Sequence, residues 1–166
     1  MGCPELTCLP NRMQPFLVAA GTQDDPARNI IVSSVGGIIV PHVGQAGAIA
    51  YSASKVAAHH LARNFAMEHI AHHITTNTIA PGWVPTRLAN PAIDKAGGEE
   101  VAGASNPSGR LGVPEDIAGV AVYLASRAGR YVNGEDISVD GGSRLMNASA
   151  MHHIQEVRQK KKESKI

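Results

Sequence analysis

Tyr51 and Lys55 are the residues whose types and spacing most directly suggest chemistry. Four positions apart on a helix, their side chains are neighbours on one face. An unperturbed phenol titrates at about 10 and is a poor base at neutral pH; an adjacent ammonium favours the phenolate. So paired in a partly desolvated site, a tyrosine gives a proton to a carbonyl oxygen or takes one from a hydroxyl. Ser34 closes a short apolar run. It is placed to hydrogen-bond the same oxygen, because parallel α/β sheets bind ligands beyond the carboxyl ends of their strands. A Tyr-x-x-x-Lys pair arises by chance in roughly one chain in three of this length, so its weight depends on its surroundings.

Other chemistries fit less well. Ser52-Ala53-Ser54-Lys55 matches S-x-x-K, the nucleophile and base of serine acyl-transferring enzymes, but the S-D-N and K-T-G segments of that class do not occur. His69, His72 and His73 stand at i, i+3 and i+4, yet H-E-x-x-H is absent and no third ligand pattern follows. These histidines, with His59 and His60, are read as solvated helix-surface side chains, and no metal site is expected. Neither G-x-G-x-x-G nor G-x-x-x-x-G-K-[ST] occurs.

The elements that must position these residues follow from pattern. Residues 1–29 carry Pro4, Pro10, Pro15 and Pro26, which predict an irregular lead-in with one or two helical turns over Met13–Ala20. Asn29–Ser34 reads as a short buried strand, because the run is apolar and β-branched rather than alternating. Gly36, Gly37, Pro41, Gly44 and Gly47 predict a loop. The alanine-rich segment from about Ala50 to Ala71 reads as helix, with Ala58, Ala62 and Phe65 at helical spacing. Ile74–Ala80 is a second strand, stopped by Pro81-Gly82. Residues 83–112 read as a mobile loop with a short helix near Pro91–Ala96. Pro114, Glu115 and Asp116 open a further helix carrying Ile117, Val120, Ala121 and Leu124 on one face. Ile137–Val139 is a third short strand. Alternating strands and helices predict a parallel sheet with helices on its faces. Three strands make part of such a domain.

Composition sets wider limits. The chain has 166 residues, 43% of them hydrophobic and 17% charged, and a formal net charge of +1; that near-neutral balance does not suggest a nucleic-acid partner. The basic character is local: Arg158, Lys160, Lys161, Lys162 and Lys165 stand against Glu156 and Glu163 in the last 16 residues. That tail is expected to be solvated and disordered. No run of 18 apolar residues marks a membrane span. The start has no basic stretch followed by an apolar core, so no secretory signal is expected. Cys3 and Cys8 are read as free thiols of a reducing compartment.

An ordered series of short motifs then carries a resemblance. It runs from Ile31-Val32-Ser33-Ser34-Val35-Gly36-Gly37 through Tyr51-Ser52-Ala53-Ser54-Lys55 to Asn77-Thr78-Ile79-Ala80-Pro81-Gly82. It continues with Gly109-Arg110-Leu111-Gly112, Pro114-Glu115-Asp116-Ile117-Ala118 and Tyr123-Leu124-Ala125-Ser126, and ends with Tyr131-Val132-Asn133-Gly134 and Val139-Asp140-Gly141-Gly142. Over roughly residues 13–145 the chain resembles the C-terminal half of a short-chain dehydrogenase/reductase. Within that family it is most similar to fungal reductases related to rhamnolipid-type 3-oxoacyl-carrier-protein reductases.

The resemblance implies an α/β fold: an incomplete doubly wound, Rossmann-like parallel sheet comprising the last three strands and their crossover helices. It implies three segments: an irregular lead-in over 1–28, the half-domain over 29–145 and a basic tail over 146–166. It implies an NAD(P)-dependent oxidoreductase that moves a hydride between nicotinamide and an alcohol/carbonyl pair, with NADP ahead of NAD. Tyr51 would be the acid or base and would also contact the cofactor, Lys55 would lower its pKa and hold the nicotinamide ribose, and Ser34 would orient the substrate oxygen, Ser33 being the alternative. Pro81, Gly82 and Val84 would meet the nicotinamide amide, and Thr86 would approach the cofactor phosphates. The partners implied are a small carbonyl or alcohol substrate and further copies of the chain, with the 50–71 helix in a subunit interface.

The family's glycine-rich first turn, its NAD/NADP selector and its catalytic Asn precede the matched region. A truncated chain is therefore expected, with weak or no dinucleotide affinity by itself. The alternative reading is a non-catalytic fragment acting as an interaction or dimerisation partner. A cytoplasmic location is expected; Ser164-Lys165-Ile166 resembles the S-K-L signal, which makes the peroxisome the alternative.

Overall fold

The structure is a computed structural model that describes residues 4–40 and 46–164, with side chains described for 12–40, 48–161, 163 and 164. The chain divides into two compact units: residues 1–81 with 114–139, and residues 82–113 with 140–166.

The first unit holds α1 (Pro4–Ala20), β1 (Ala27–Val32), α2 (Ala46–Glu68), β2 (Ile74–Pro81), α5 (Pro114–Ala125) and β3 (Asp136–Val139). Its three strands form one parallel sheet in the order β1-β2-β3. Val32 lies beside Ile79, and Ile79 beside Ile137. Among the described residues β1 pairs with β2 alone, and Val32 at its outer end is 58% exposed. The central strand is buried from Ile74 to Ala80. Helix α2 packs on β2, and α5 packs on β1 and β2. Ala58, Ala62, Phe65 and Ala66 from α2 and Leu124 from α5 complete the core.

Two asparagines couple β2 to the segment entering β3. The Asn77 amide donates to the Val132 carbonyl at 2.8 Å and its oxygen accepts from the Glu135 N–H at 3.0 Å. The Asn133 oxygen accepts from the Thr76 N–H at 2.8 Å, and its amide donates to the Ala66 carbonyl at 3.0 Å. Side chains thus satisfy backbone groups where the ladder has not yet formed. Asn77→Ala is expected to lower stability by about 1–3 kcal/mol, read as a lower urea midpoint at unchanged slope. Arg28 ties the start of β1 to the end of α5 by donating to the Ser126 carbonyl at 3.1 Å. Its guanidinium also holds the Asp25 carboxyl below the usual carboxylate range.

The second unit contains α3 (Asn90–Lys95), α4 (Glu99–Ala104) and α6 (Ala148–Glu163). Ile93, Ala102 and Leu111 form its small core, with Trp83 and Ala89 packed against them. Asn106 is buried; it donates to the Asp140 carbonyl at 3.0 Å and accepts from Ser108. The Asp140 carboxylate accepts from Gly142 N–H, Ser143 Oγ and Arg144 N–H. Gly141, at φ 61°, lies so close to Asn106 that an added Cβ would stand 2.5 Å from its side-chain oxygen. The turn therefore requires glycine for both its backbone and its space.

Several sequence expectations are corrected. The helix of the lead-in is longer than one or two turns: α1 runs for 17 residues through Pro10 and Pro15. Each proline removes one N–H, but packing of α1 on β1 compensates, since tertiary contact rather than propensity supplies most helical stability. Strand β1 starts and ends two residues earlier than the pattern suggests, which leaves Ser33 and Ser34 beyond its end. The 83–112 segment forms α4 as well as α3. Most of the tail expected to be disordered is α6. Asn147 opens it by accepting from the Ala150 N–H at 2.9 Å, and Arg158 anchors it by donating to the carbonyls of Ala104, Asn106 and Pro107 at 3.2, 3.1 and 2.6 Å. Arg158→Ala is expected to speed tryptic cleavage at the α6 lysines by roughly tenfold, because the helix would open locally.

Candidate active site

Helix α2 has two unlike faces. Tyr51, Lys55, Ala58, His59, Ala62, Phe65 and Ala66 fall on one side at helical spacing; from Ala58 onward that side is buried, and Tyr51 and Lys55 at its open end are half-buried. The Lys55 Nζ stands 5.5 Å from the Tyr51 ring centroid, so the ammonium rests against the phenol ring. Ser54 donates to the Tyr51 main-chain carbonyl at 2.6 Å, which leaves the phenol oxygen unspent on that contact. Ser52 makes no hydrogen bond to Lys55 among the described residues, and the nucleophile–base contact of an S-x-x-K centre is not formed.

The two candidate serines have different environments. Ser33 is 5% exposed, and its hydroxyl donates to the Lys55 carbonyl at 3.2 Å. Ser34 is half-buried and extended, at φ −167° and ψ 152°. It opens the 3-10 turn Val35–Gly37, where its Oγ accepts from the Gly36 N–H at 3.1 Å. Among the described residues no acceptor takes the Ser34 hydroxyl proton, which therefore remains available to a ligand oxygen. This turn packs directly on α2. A Cβ on Gly37 would stand 2.6 Å from the His59 ring and 2.7 Å from the Lys55 carbonyl carbon. The loop bearing Ser34 is thus docked one turn from Lys55 on the face that carries Tyr51.

Pro81 belongs to the same unit, half-buried at the end of β2 and level with Val139. Gly82, Val84 and Thr86 belong to the other unit. Gly82 lies against Asp140, where an added Cβ would stand 2.8 Å from its Cα. Val84 is half-buried. Thr86 is exposed, and its Oγ1 accepts from the Ala89 N–H at 3.1 Å, bracing the turn into α3.

The histidine expectation is overturned at two positions. His59 is 2% exposed and His69 3% exposed. His69 stacks on Phe65 with ring centroids 5.1 Å apart. His59 places Nδ1 2.6 Å from Asp136 Oδ1 and Nε2 3.2 Å from the Ser34 carbonyl. The other Asp136 oxygen accepts from Arg63. Asp136 lies 77 positions from His59, so no local spacing announced this contact. Among the described residues no three His, Cys, Asp or Glu side chains gather into a metal-binding group.

Known proteins resemble this chain over most of its length. The enoyl-(acyl carrier protein) reductase family model matches residues 11–144. The chain is 40% identical over 134 residues to the rhamnolipids biosynthesis 3-oxoacyl-[acyl-carrier-protein] reductase of Pseudomonas aeruginosa, a match covering 81% of this chain and 51% of that protein. The chain belongs to the short-chain dehydrogenase/reductase family.

Other short-chain dehydrogenase/reductases agree with that assignment. The 2-dehydro-3-deoxy-D-gluconate 5-dehydrogenase of Bacillus subtilis is 44% identical over 112 residues, covering 68% of this chain and 41% of that protein. Among solved structures, the Pseudomonas aeruginosa RhlG/NADP active-site complex superposes with a TM-score of 0.73 at 39% identity, covering 82% of this chain and 54% of that one. A gluconate 5-dehydrogenase from Burkholderia cenocepacia in complex with NADP and tartrate gives 0.75 at 26% identity, covering 87% and 54%. The chain spans about half the length of the curated relatives it matches. The Rossmann-like α/β fold expected of the family is present as a parallel sheet with helices. Among the described residues no helix is long and apolar enough to cross a membrane.

Proposed function

We propose that this protein is an NAD(P)-dependent oxidoreductase that transfers a hydride between nicotinamide and an alcohol/carbonyl pair, with Tyr51 as acid and base. The observation that carries the reading is the Lys55 ammonium held against the Tyr51 ring on the helix face where the Ser34 turn docks. The donor set suits the nicotinamide–ribose end of such a cofactor: an ammonium and a phenol share one side of α2, and the turn bearing the Ser34 hydroxyl packs on that helix. The bound cofactor supplies the hydride.

The chain's own residues handle the oxygen. The Tyr51 phenol gives its proton to the carbonyl oxygen in reduction and takes it back from the alcohol in oxidation. Lys55 stands against the phenol ring and binds ribose hydroxyls. Ser34 donates to the same substrate oxygen while Gly36 holds its Oγ, and Ser33, buried and committed to Lys55, plays no part. Pro81, Gly82 and Val84 are assigned to the nicotinamide amide and Thr86 to the phosphate end. NADP is favoured because three of the similar solved structures are NADP complexes.

The substrate is a small carbonyl compound; 3-oxoacyl thioesters and keto-sugar acids are the first to test, given the names of the relatives. Homo-oligomers fit the other face of α2, where Ile49, Val56 and Met67 are exposed and fall on one stripe, spaced 7 and 11 positions apart. The test is consumption of NADPH by protein expressed from its own locus, at its native length, across that panel. Turnover with at least one carbonyl class is expected; saturation with NADPH and no turnover on any member would refute the reading.

A further inference from the structure

We infer that His59 is a positioning residue that fixes the main chain of Ser34, and so the direction of the Ser34 hydroxyl. The inference rests on the reading of Ser34, Tyr51 and Lys55 as the reaction centre. Its geometry stands independently: an imidazole buried between a backbone carbonyl of the serine loop and a carboxylate of the last strand.

His59 follows Tyr51 and Lys55 at the same four-residue step, so one helix face carries all three. Its ring sits under the 3-10 turn, close enough to Gly37 to leave no room for a Cβ. Nε2 points to the Ser34 carbonyl and Nδ1 to Asp136 Oδ1. The Ser34 carbonyl can only accept, so Nε2 holds it as an N–H donor. The charged groups facing the ring are Asp136 from β3 and Arg63 from α2, itself bonded to Asp136. The 3-10 turn and β2, which also pack here, bring no titratable side chain.

The Ser34 carbonyl already accepts from the Gly37 N–H at 3.0 Å. The His59 donor occupies its remaining lone pair. Together with the Gly36 N–H on Oγ, three donors from two elements set both oxygens of Ser34. Packing alone does not call for this arrangement. Ala58, Ala62, Phe65 and Ala66 already bury the helix face, and a buried polar ring costs stability unless its partners are in place. What the ring adds is a fixed serine loop. Misplacement of an orienting group by about 1 Å costs on the order of 100-fold in rate.

Two amide substitutions separate the ring's two contacts. The Asn amide overlies Nδ1, so His59→Asn keeps the donor to Asp136 and loses the one to Ser34. The Gln amide reaches Nε2, so His59→Gln does the reverse. Amide hydrogen exchange at Gly36 and Gly37 reads the loop directly, and kcat with NADPH and a reactive carbonyl reads its consequence. His59→Asn is expected to speed exchange at both glycines at least tenfold and to lower kcat about 10–100-fold, with KM for NADPH within about twofold. His59→Gln should stay within about threefold of wild type on both. Equal changes in the two variants, tracking their melting temperatures, would overturn the inference.

The same contact is visible without substitution in the 1H–15N spectrum of the His59 ring. A proton on Nε2 supports the inference, and a missing Nε2 proton overturns it even where a variant fails to fold. A contrast in exchange without any reductase activity would support the hold of His59 on Ser34 and refute the proposed function. Activity without the contrast would do the opposite.

Discussion

Tyr51→Phe is expected to lower kcat for NADPH-dependent carbonyl reduction by about 10²–10⁴-fold, the usual contribution of one positioned proton donor. The substitution removes an oxygen and little else. Helix α2 keeps its register, since Ser54 bonds the main-chain carbonyl of residue 51, not the phenol. The ring stays beside Lys55, because a cation–π contact needs only the aromatic face. Melting temperature should therefore stay near wild type, and NADPH affinity should change far less than kcat, while the chemical step fails. That separation distinguishes a proton donor from a packing residue. Steady-state kinetics with thermal denaturation on the same samples check it. A loss of rate that follows a loss of stability, or a rate that survives the substitution, would remove Tyr51 from the role assigned to it.

The second large effect is expected at Ile79. Its side chain is fully buried near the carboxyl end of β2, between Val32 and Ile137 on the neighbouring strands. Its carbonyl accepts from the Ser33 N–H at 2.8 Å, so the serine loop leaves the sheet at this residue. Ile79→Ala is expected to cost about 2–5 kcal/mol, the transfer of three carbons plus the cavity they leave. Ile79→Val should cost about 0.5–1.5 kcal/mol. Against a typical total of about 5–15 kcal/mol, the alanine variant would lose a large share of its margin. Urea denaturation followed by far-UV circular dichroism checks the pair. A loss below about 1 kcal/mol for the alanine variant would contradict the placement of Ile79 in the core.

Much of this architecture is legible in the residues because local pattern and tertiary role agree. The β-branched run at Ile30–Val32, the alanine-rich α2 and the Pro114-Glu115-Asp116 start of α5 each carry their own physical signal. The Tyr51–Lys55 pair needed only helical spacing, and the order of the motifs pointed to the family. What escaped was set by contacts distant in sequence. Helix α1 passes through two prolines because it packs on β1, and a proline-rich segment gives no sign of such support. Helix α6 has a lysine-rich composition that reads as a solvated tail. Its order comes from Arg158 reaching carbonyls 51 to 54 positions away. His59 and His60 look alike in the sequence, yet one is buried against Asp136 and the other exposed. Ser33 and Ser34 likewise differ through a contact distant in sequence, since the Lys55 carbonyl accepts from the Ser33 hydroxyl and not from that of Ser34.

The central claim is that this fold moves a hydride while Tyr51 manages the proton. The most direct measurement uses NADPH deuterated at C4 of the nicotinamide, a panel of 3-oxoacyl thioesters and keto-sugar acids, and protein expressed from its own locus. Mass spectrometry of the products reads where the deuterium goes. The account predicts one deuterium on the former carbonyl carbon, and with Tyr51→Phe about 10²–10⁴-fold less labelled product over the same initial-rate interval. Product that forms without deuterium, or equal transfer by the Phe variant, would contradict it.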